Sequence, residues 1–122
     1  MEFNSKKAIF QQIADLVCEH ILSGKWKEEE RIPSVRELAS MLEVNPNTII
    51  KSYDELQSKE IIYNKRGLGY FVTSDSLGKI KENFKNDFIT KELPLIYKQM
   101  NMIGFTTEEL IKGYHDFSQT KK

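Results

Sequence analysis

Apolar residues recur at Ile9, Ile13, Leu16, Val17 and Ile21, the spacing of one helical face, and predict a first helix over 9–23 that Gly24 closes. The charged stretch 25–30, with Glu28, Glu29 and Glu30 in succession, reads as a solvated connector. Helical spacing returns over 34–42, with Val35, Leu38, Ala39 and Leu42 inward, and again from Pro46 to about Glu60, with Ile49, Tyr53 and Leu56 inward. The pattern then turns β-prone: Ile61-Ile62-Tyr63-Asn64 and Tyr70-Phe71-Val72-Thr73 flank Lys65-Arg66-Gly67-Leu68-Gly69, whose glycines supply positive φ for a hairpin turn. From Ser76 the helical period resumes at Leu77, Ile80, Phe84, Phe88 and Ile89 up to Pro94, which lacks an amide and should kink or break the helix. The stripe continues at Leu95, Ile96 and Met100, and a last helix after Gly104 turns Leu110, Ile111, Tyr114 and Phe117 inward.

Capping residues fix where these helices start. Ser34-Val35-Arg36-Glu37 is a capping box, in which the Ser34 hydroxyl accepts from the Glu37 amide and the Glu37 carboxylate from the Ser34 amide. Asn45 is an N-cap, and Pro46 at the first helical position gives up an amide that would be unpaired anyway. Thr106-Thr107-Glu108-Glu109 opens the last helix in the same way as Ser34 opens the second. Only Leu42-Glu43-Val44 separates the second and third helices, which suits a sharp helix-turn-helix crossing. The predicted fold is therefore mainly α with a small β-hairpin wing: a winged helix-turn-helix over 1–74, followed by a C-terminal helical dimerisation arm over 75–122.

Size and charge narrow this picture. A chain of 122 residues holds one modest core with a helical appendage and leaves no room for a large sensor domain. Lys plus Arg equals Asp plus Glu at 18 each, and residues 1–74 hold ten basic against eleven acidic side chains, so any positive surface must come from placement. Cys18 is the one cysteine, as suits a reducing cytoplasm, and no apolar run or signal pattern suggests a membrane or export. Cys18 and His20 lie nearly opposite on the first helix and cannot share a metal; His115 has no second ligand at useful spacing. No nucleophile triad, phosphate loop or cysteine pair is present, so neither an enzyme nor a cofactor is expected. Trp26 reads as a core plug.

Turning Ile49, Tyr53 and Leu56 inward places Asn47, Lys51, Asp54 and Ser58 on the opposite face of the third helix. Asn47, Thr48 and Lys51 offer amide, hydroxyl and ammonium groups to base edges or phosphates beside a positive helix N-terminus, while Asp54 and Glu55 would tilt the far end away from DNA. A merely solvated face is the plainer reading, and the flanking elements weigh against it. Arg36 either clamps a phosphate or base or pairs with Glu37. Lys65 and Arg66 put two cations at the hairpin tip, for DNA or simply as a charged turn guarding a sheet edge.

At these residues the chain resembles the GntR family of bacterial transcription regulators. The resemblance rests on Ile32-Pro33-Ser34-Val35-Arg36-Glu37-Leu38-Ala39, on Val44-Asn45-Pro46-Asn47-Thr48, and on Tyr53, Leu56 and Gly67-Leu68-Gly69-Tyr70-Phe71-Val72. The short tail with Gly104-Phe105-Thr106 before Glu108-Glu109-Leu110 is similar to the YtrA-type subfamily, in which a helical appendage dimerises the protein. The resemblance implies DNA contacts at Arg36, at the start of the third helix and at Gly67. The candidate DNA-binding set is Ser34, Arg36, Asn45, Asn47, Thr48, Lys51, Lys65, Arg66 and Gly67. It also implies a homodimer on a pseudo-palindromic operator, a repressor, and control of a transporter operon. Three departures stand out: Glu28-Glu29 replace the usual Pro-Gly, Glu43 replaces a frequent turn glycine and so faces a left-handed conformation, and Pro46 stands where many relatives carry an arginine.

In the tail, Phe84, Phe88 and Leu95 form one stripe while Ile89, Leu93, Ile96 and Met100 spread onto another. A helix with two apolar sides needs two partners, and a second copy of the chain is the expected one; the alternative is a helical hairpin folded back on the same chain. A winged module for protein interaction is the competing function, supported by the neutral charge and Glu28–30. A small-molecule effector is left open.

Overall fold

The computed structural model describes residues 7–120. Its elements run α1 (Ile9–Leu22), α2 (Val35–Leu42), α3 (Pro46–Ser58), β1 (Ile62–Lys65), β2 (Gly69–Val72), α4 (Ser76–Asp87), a π-helical turn (Phe88–Glu92), α5 (Leu93–Ile103) and α6 (Thr107–Thr120). This is the mainly helical, hairpin-winged architecture that the hydrophobic pattern implies.

The chain divides into two compact units, Met1–Glu82 and Asn83–Lys122. The core of the first is built by Ile13, Ala14, Val17, Cys18 and Ile21 of α1, Leu38 and Ala39 of α2, and Ile49, Tyr53 and Leu56 of α3. Ile61, Ile62 and Val72 at the wing, and Ile32 of the segment that pairs along β2, close it. Each fully buried Val, Leu or Ile among them contributes about 1.5–3 kcal/mol. Val35 and Leu42 are only half covered, so α2 shows the core a narrower face than its four-residue apolar pattern suggested. Ser76 and Ile80 are both 0% exposed, which is why this unit extends to Glu82 and takes in the start of α4.

Two buried hydroxyls lock α3 in place. Ser52 Oγ donates to Phe10 O at 2.7 Å, fastening α3 to α1, and Tyr53 Oη donates to Pro33 O at 2.7 Å, fastening it to the segment that leads into α2. The Tyr53 ring also meets Tyr70 edge-on at 4.8 Å. Burial raises the Tyr53 phenol well above its ordinary pKa, so it stays a neutral donor. Burial likewise pushes the Cys18 thiol up to about 12, which keeps it protonated and inert.

The two strands pair antiparallel, Ile62 with Val72 through Lys65 with Gly69. A third chain segment joins them. Glu29 N donates to Val72 O (2.8 Å), Val72 N to Glu30 O (3.0 Å) and Ile32 N to Tyr70 O (2.9 Å), so the acidic connector is exposed yet hydrogen-bonded along β2. Trp26 is not a core plug: it is half-buried beside the connector, edge-on to His20 at 4.7 Å.

Pro94 does not break the helix in the second unit. A proline ring collides with the carbonyl four residues back and supplies no amide to it. Here the preceding turn widens so that Leu93 N donates to Phe88 O, five residues away, and the helix continues. The extra residue shifts the apolar register. Phe84, Leu93, Ile96 and Met100 are half covered, whereas Leu95, placed on the Phe84 stripe by a uniform helical period, stands 62% exposed. The expected inward set of α6 is likewise corrected: Leu110, Ile111, Tyr114 and Phe117 are all exposed, and neither α5 nor α6 contains a buried residue.

Candidate nucleic-acid interface

Local chemistry positions the helix-turn-helix. At the start of α2, Glu37 N donates to Ser34 Oγ (3.1 Å) and Ser34 N to Glu37 Oε1 (2.8 Å). The Ser34 contacts, with Arg31 adding a smaller attraction, hold the Glu37 carboxyl below its ordinary pKa. Asn45 Oδ1 accepts from Asn47 N at 2.8 Å, with Pro46 following it. The turn between the helices works through Glu43, which adopts φ 56°, ψ 48°, the left-handed conformation expected where a glycine would be easier. Capping engages the acceptor oxygens of Ser34 and Asn45 but leaves the Ser34 hydroxyl hydrogen and the Asn45 amide hydrogens for a phosphate.

On α3, Asn47, Lys51, Asp54 and Ser58 are exposed opposite the buried Ile49, Tyr53 and Leu56, and Thr48 is half-buried. Lys51 Nζ lies 6.0 Å from the centre of the Phe10 ring. In the wing, Gly67 takes φ +80°, and Arg66 and Gly67 are exposed at the tip. Lys65 is held differently: its Nζ sits 4.8 Å from the Phe71 ring centre and 5.9 Å from that of Tyr63, over a stacked aromatic pair.

The neutral chain keeps several cations out of ion pairs. Ion pairs engage Lys7 with Asp15, Lys59 with Glu55, Lys79 with Glu60, Lys91 with Asp87 and Lys112 with Asp116. Among the described residues Arg31, Arg36, Lys51, Lys65 and Arg66 pair with no carboxylate. Arg36 thus escapes the pairing with Glu37 that the sequence left open, because the Glu37 carboxylate caps Ser34. Lys25, Lys27, Lys81, Lys85 and Lys98 are likewise without an ion pair there, so what marks the first group is its place on and beside α2, α3 and the wing, where a polyanion would meet it.

Sequence reasoning missed three exposed side chains on these elements. Arg31 crosses to the wing, and Ile50 and Leu68 present apolar surface at 43% and 59% exposure. Ile50 is detectable in principle as the apolar residue one step off the buried stripe; Arg31 and Leu68 meet only through folding. No group of three or more metal-ligating side chains occurs among the described residues, and no helix there is long and apolar enough to cross a membrane.

The profile described as "Bacterial regulatory proteins, gntR family" matches residues 9–72, the stretch from α1 through the wing. The chain belongs to the GntR family. Two Bacillus subtilis relatives place this GntR regulator further. The HTH-type transcriptional regulator YhcF is 33% identical over 118 residues, 97% of this chain and 96% of its own length. The HTH-type transcriptional repressor YtrA is also 33% identical over 118 residues, 97% of this chain and 90% of its own. A GntR-family regulator of known structure from Bacteroides thetaiotaomicron shares 43% identity, covers 94% of this chain and all of its own, and superposes with a TM-score of 0.84. The chain is a YtrA-like, DNA-binding transcriptional regulator of a family of regulators and not of enzymes.

Proposed function

We propose that this GntR regulator is a homodimeric repressor that reads a pseudo-palindromic operator, with residues 75–122 acting as the dimerisation arm and the nine candidate residues of α2, α3, their caps and the wing meeting DNA. The observation that carries the proposal is the second unit's lack of a buried residue in the π turn, α5 or α6, while Phe88, Ile89, Leu95, Tyr97, Met102 (83%), Ile103 (75%) and Tyr114 stand exposed. Apolar surface on this scale calls for a cover, and a second copy of the same arm supplies one by an isologous contact. Phe84, Phe88, Ile89, Leu93, Leu95, Ile96 and Met100 are the interface side chains inferred from sequence; Met102, Ile103 and Tyr114 extend the set. Repression agrees with what the relative YtrA is called, and a transporter operon is the target that the subfamily resemblance favours.

Sedimentation velocity together with operator titration tests this. The expected result is a dimer at micromolar concentration that protects two half-sites in its own promoter, with Leu95→Glu/Met102→Glu giving a monomer that retains only weak binding, because the second half-site contact is no longer tethered. A monomeric intact chain with undiminished operator affinity would refute the arm. A DNA affinity insensitive to salt would instead favour the protein-interaction module, since phosphate neutralisation releases counterions.

A further inference from the structure

The side chain of Arg31 does two things at once. Its Nε–H donates to Leu68 O at 3.1 Å, across the wing tip, while its backbone pairs with Phe71. The guanidinium also passes close over Gly69: a Cβ at that position would meet Nε at 2.9 Å and Cζ at 3.7 Å, so a side chain there would crowd it. One of five guanidinium donors is thereby used. Among the described residues no salt bridge engages the remaining donors, and the Glu37 carboxylate feels the Arg31 charge only weakly. Arg31 shares an open cleft of about 740 Å³ with Arg36 from the first turn of α2; Trp26, Ile32 and Pro33 also line it. Glu37 lines it too, its carboxylate turned to the Ser34 amide.

We propose that Arg31 is a positioning residue for DNA binding, which braces the wing tip through Leu68 and, with Arg36, clamps one phosphodiester of the DNA backbone. Two arginines from different segments lining one cleft suit a tetrahedral anion with several acceptor oxygens. The bridge to Leu68 then couples that phosphate to the placement of Arg66 and Gly67 at the tip. Arg31 carries no base-reading role in this arrangement, since backbone contacts orient the protein without reporting sequence.

The test uses the full chain and titrations of operator and random DNA over a range of salt. Arg31→Ala should weaken both DNAs in about equal proportion and make the slope of log affinity against log salt shallower by about one per half-site. Arg31→Lys should keep the slope but bind more weakly than wild type, because an ammonium cannot hold Leu68 O in the guanidinium plane and reach the phosphate together. Gly69→Ala alters no charge but strains the φ +114° backbone as well as displacing Arg31, so the Arg31 part is read by difference: the substitution should weaken DNA binding less in the Arg31→Ala background than in wild type. The proposal is overturned if folded Arg31→Ala keeps the wild-type slope and affinity, or if Arg31→Lys behaves as wild type. It is also overturned if inorganic phosphate alone shifts the Arg31 Nε–H resonance at submillimolar concentration, which would assign the cleft to a small anion. A wild-type slope near zero would refute the DNA interface as a whole, whereas a steep wild-type slope unaffected by Arg31→Ala removes this inference alone.

Discussion

Replacing Glu43 by glycine should make the protein more stable. Glu43 holds φ 56°, ψ 48° at the end of α2, and a left-handed backbone costs an L-residue about 1–2 kcal/mol that glycine does not incur. Glycine has the looser unfolded chain, which returns about 0.5–1 kcal/mol of that gain. Little else changes, because the Glu43 side chain is exposed and forms no hydrogen bond or ion pair among the described residues. The net is a stabilisation of about 0.5–1 kcal/mol, or roughly 2–8 °C in melting temperature for a unit of this size. Thermal melts followed by circular dichroism at one fixed protein concentration measure it, with Glu43→Ala as the control that keeps the strain. Among the described residues the other non-glycine positive-φ positions are Glu29 and Glu60, also glutamates, but with partners to lose: Glu29 Oε1 accepts from Tyr63 Oη at 2.7 Å, and Glu60 binds Lys79. Glycine at either should therefore gain less than at Glu43. Equal melting temperatures for Glu43→Gly and Glu43→Ala would refute the strain argument.

Arg36→Ala and Lys51→Ala should each weaken operator binding by about 1–3 kcal/mol with unchanged circular dichroism, and unchanged affinity in both would remove α2 and α3 from the interface. Reversing both Lys65 and Arg66 to glutamate should weaken operator and random DNA alike in the same titration. Pro94→Ala should weaken self-association in sedimentation by letting the π turn relax and rotating Leu93, Ile96 and Met100 away from Phe84 and Phe88; deleting Thr90 as well should restore it by returning those residues to one α-helical stripe. Burial, then the nearby Lys25 charge, lowers the His20 imidazole below its ordinary value near 6.5, so the unfolded chain takes up a proton that the folded one resists. Stability should accordingly fall as pH drops from 6.5 toward the folded-state value, and His20→Gln should flatten that part of a pH series of melts.

What the sequence disclosed follows the range of the forces involved. The starts of α2, α3 and α6 were legible because each depends on side chains within four residues: Ser34 with Glu37, Asn45 with Asn47, Thr106 with Glu109. The left-handed Glu43 was legible for the same reason. The pairing of Glu29, Glu30 and Ile32 with β2 was not, since 28–30 carries no strand period and its partners lie some forty residues on; nor was the grip of Arg31 on Leu68, 37 positions away. The stripe in the second unit failed where a constant 100° step was carried through Pro94, for the π turn adds a residue that no periodicity reveals. Exposed candidates such as Lys51 and Arg36 were recognisable by subtraction from the core, but which cations escape ion pairing depended on the folded positions of the carboxylates.

The bare surface of the second unit also bears on reaction order. A 14-residue helix such as α6 is marginal by itself in water, and with no residue buried it draws little support from its own chain. Under the dimer reading, the arm's order is then second order in chain concentration, so dilution and unfolding are the same process for this part of the molecule. Halving the amount of regulator would remove more than half of the operator-competent species at low abundance. A repressor of its own promoter built this way would respond to its own copy number more steeply than one site per chain allows, without any ligand.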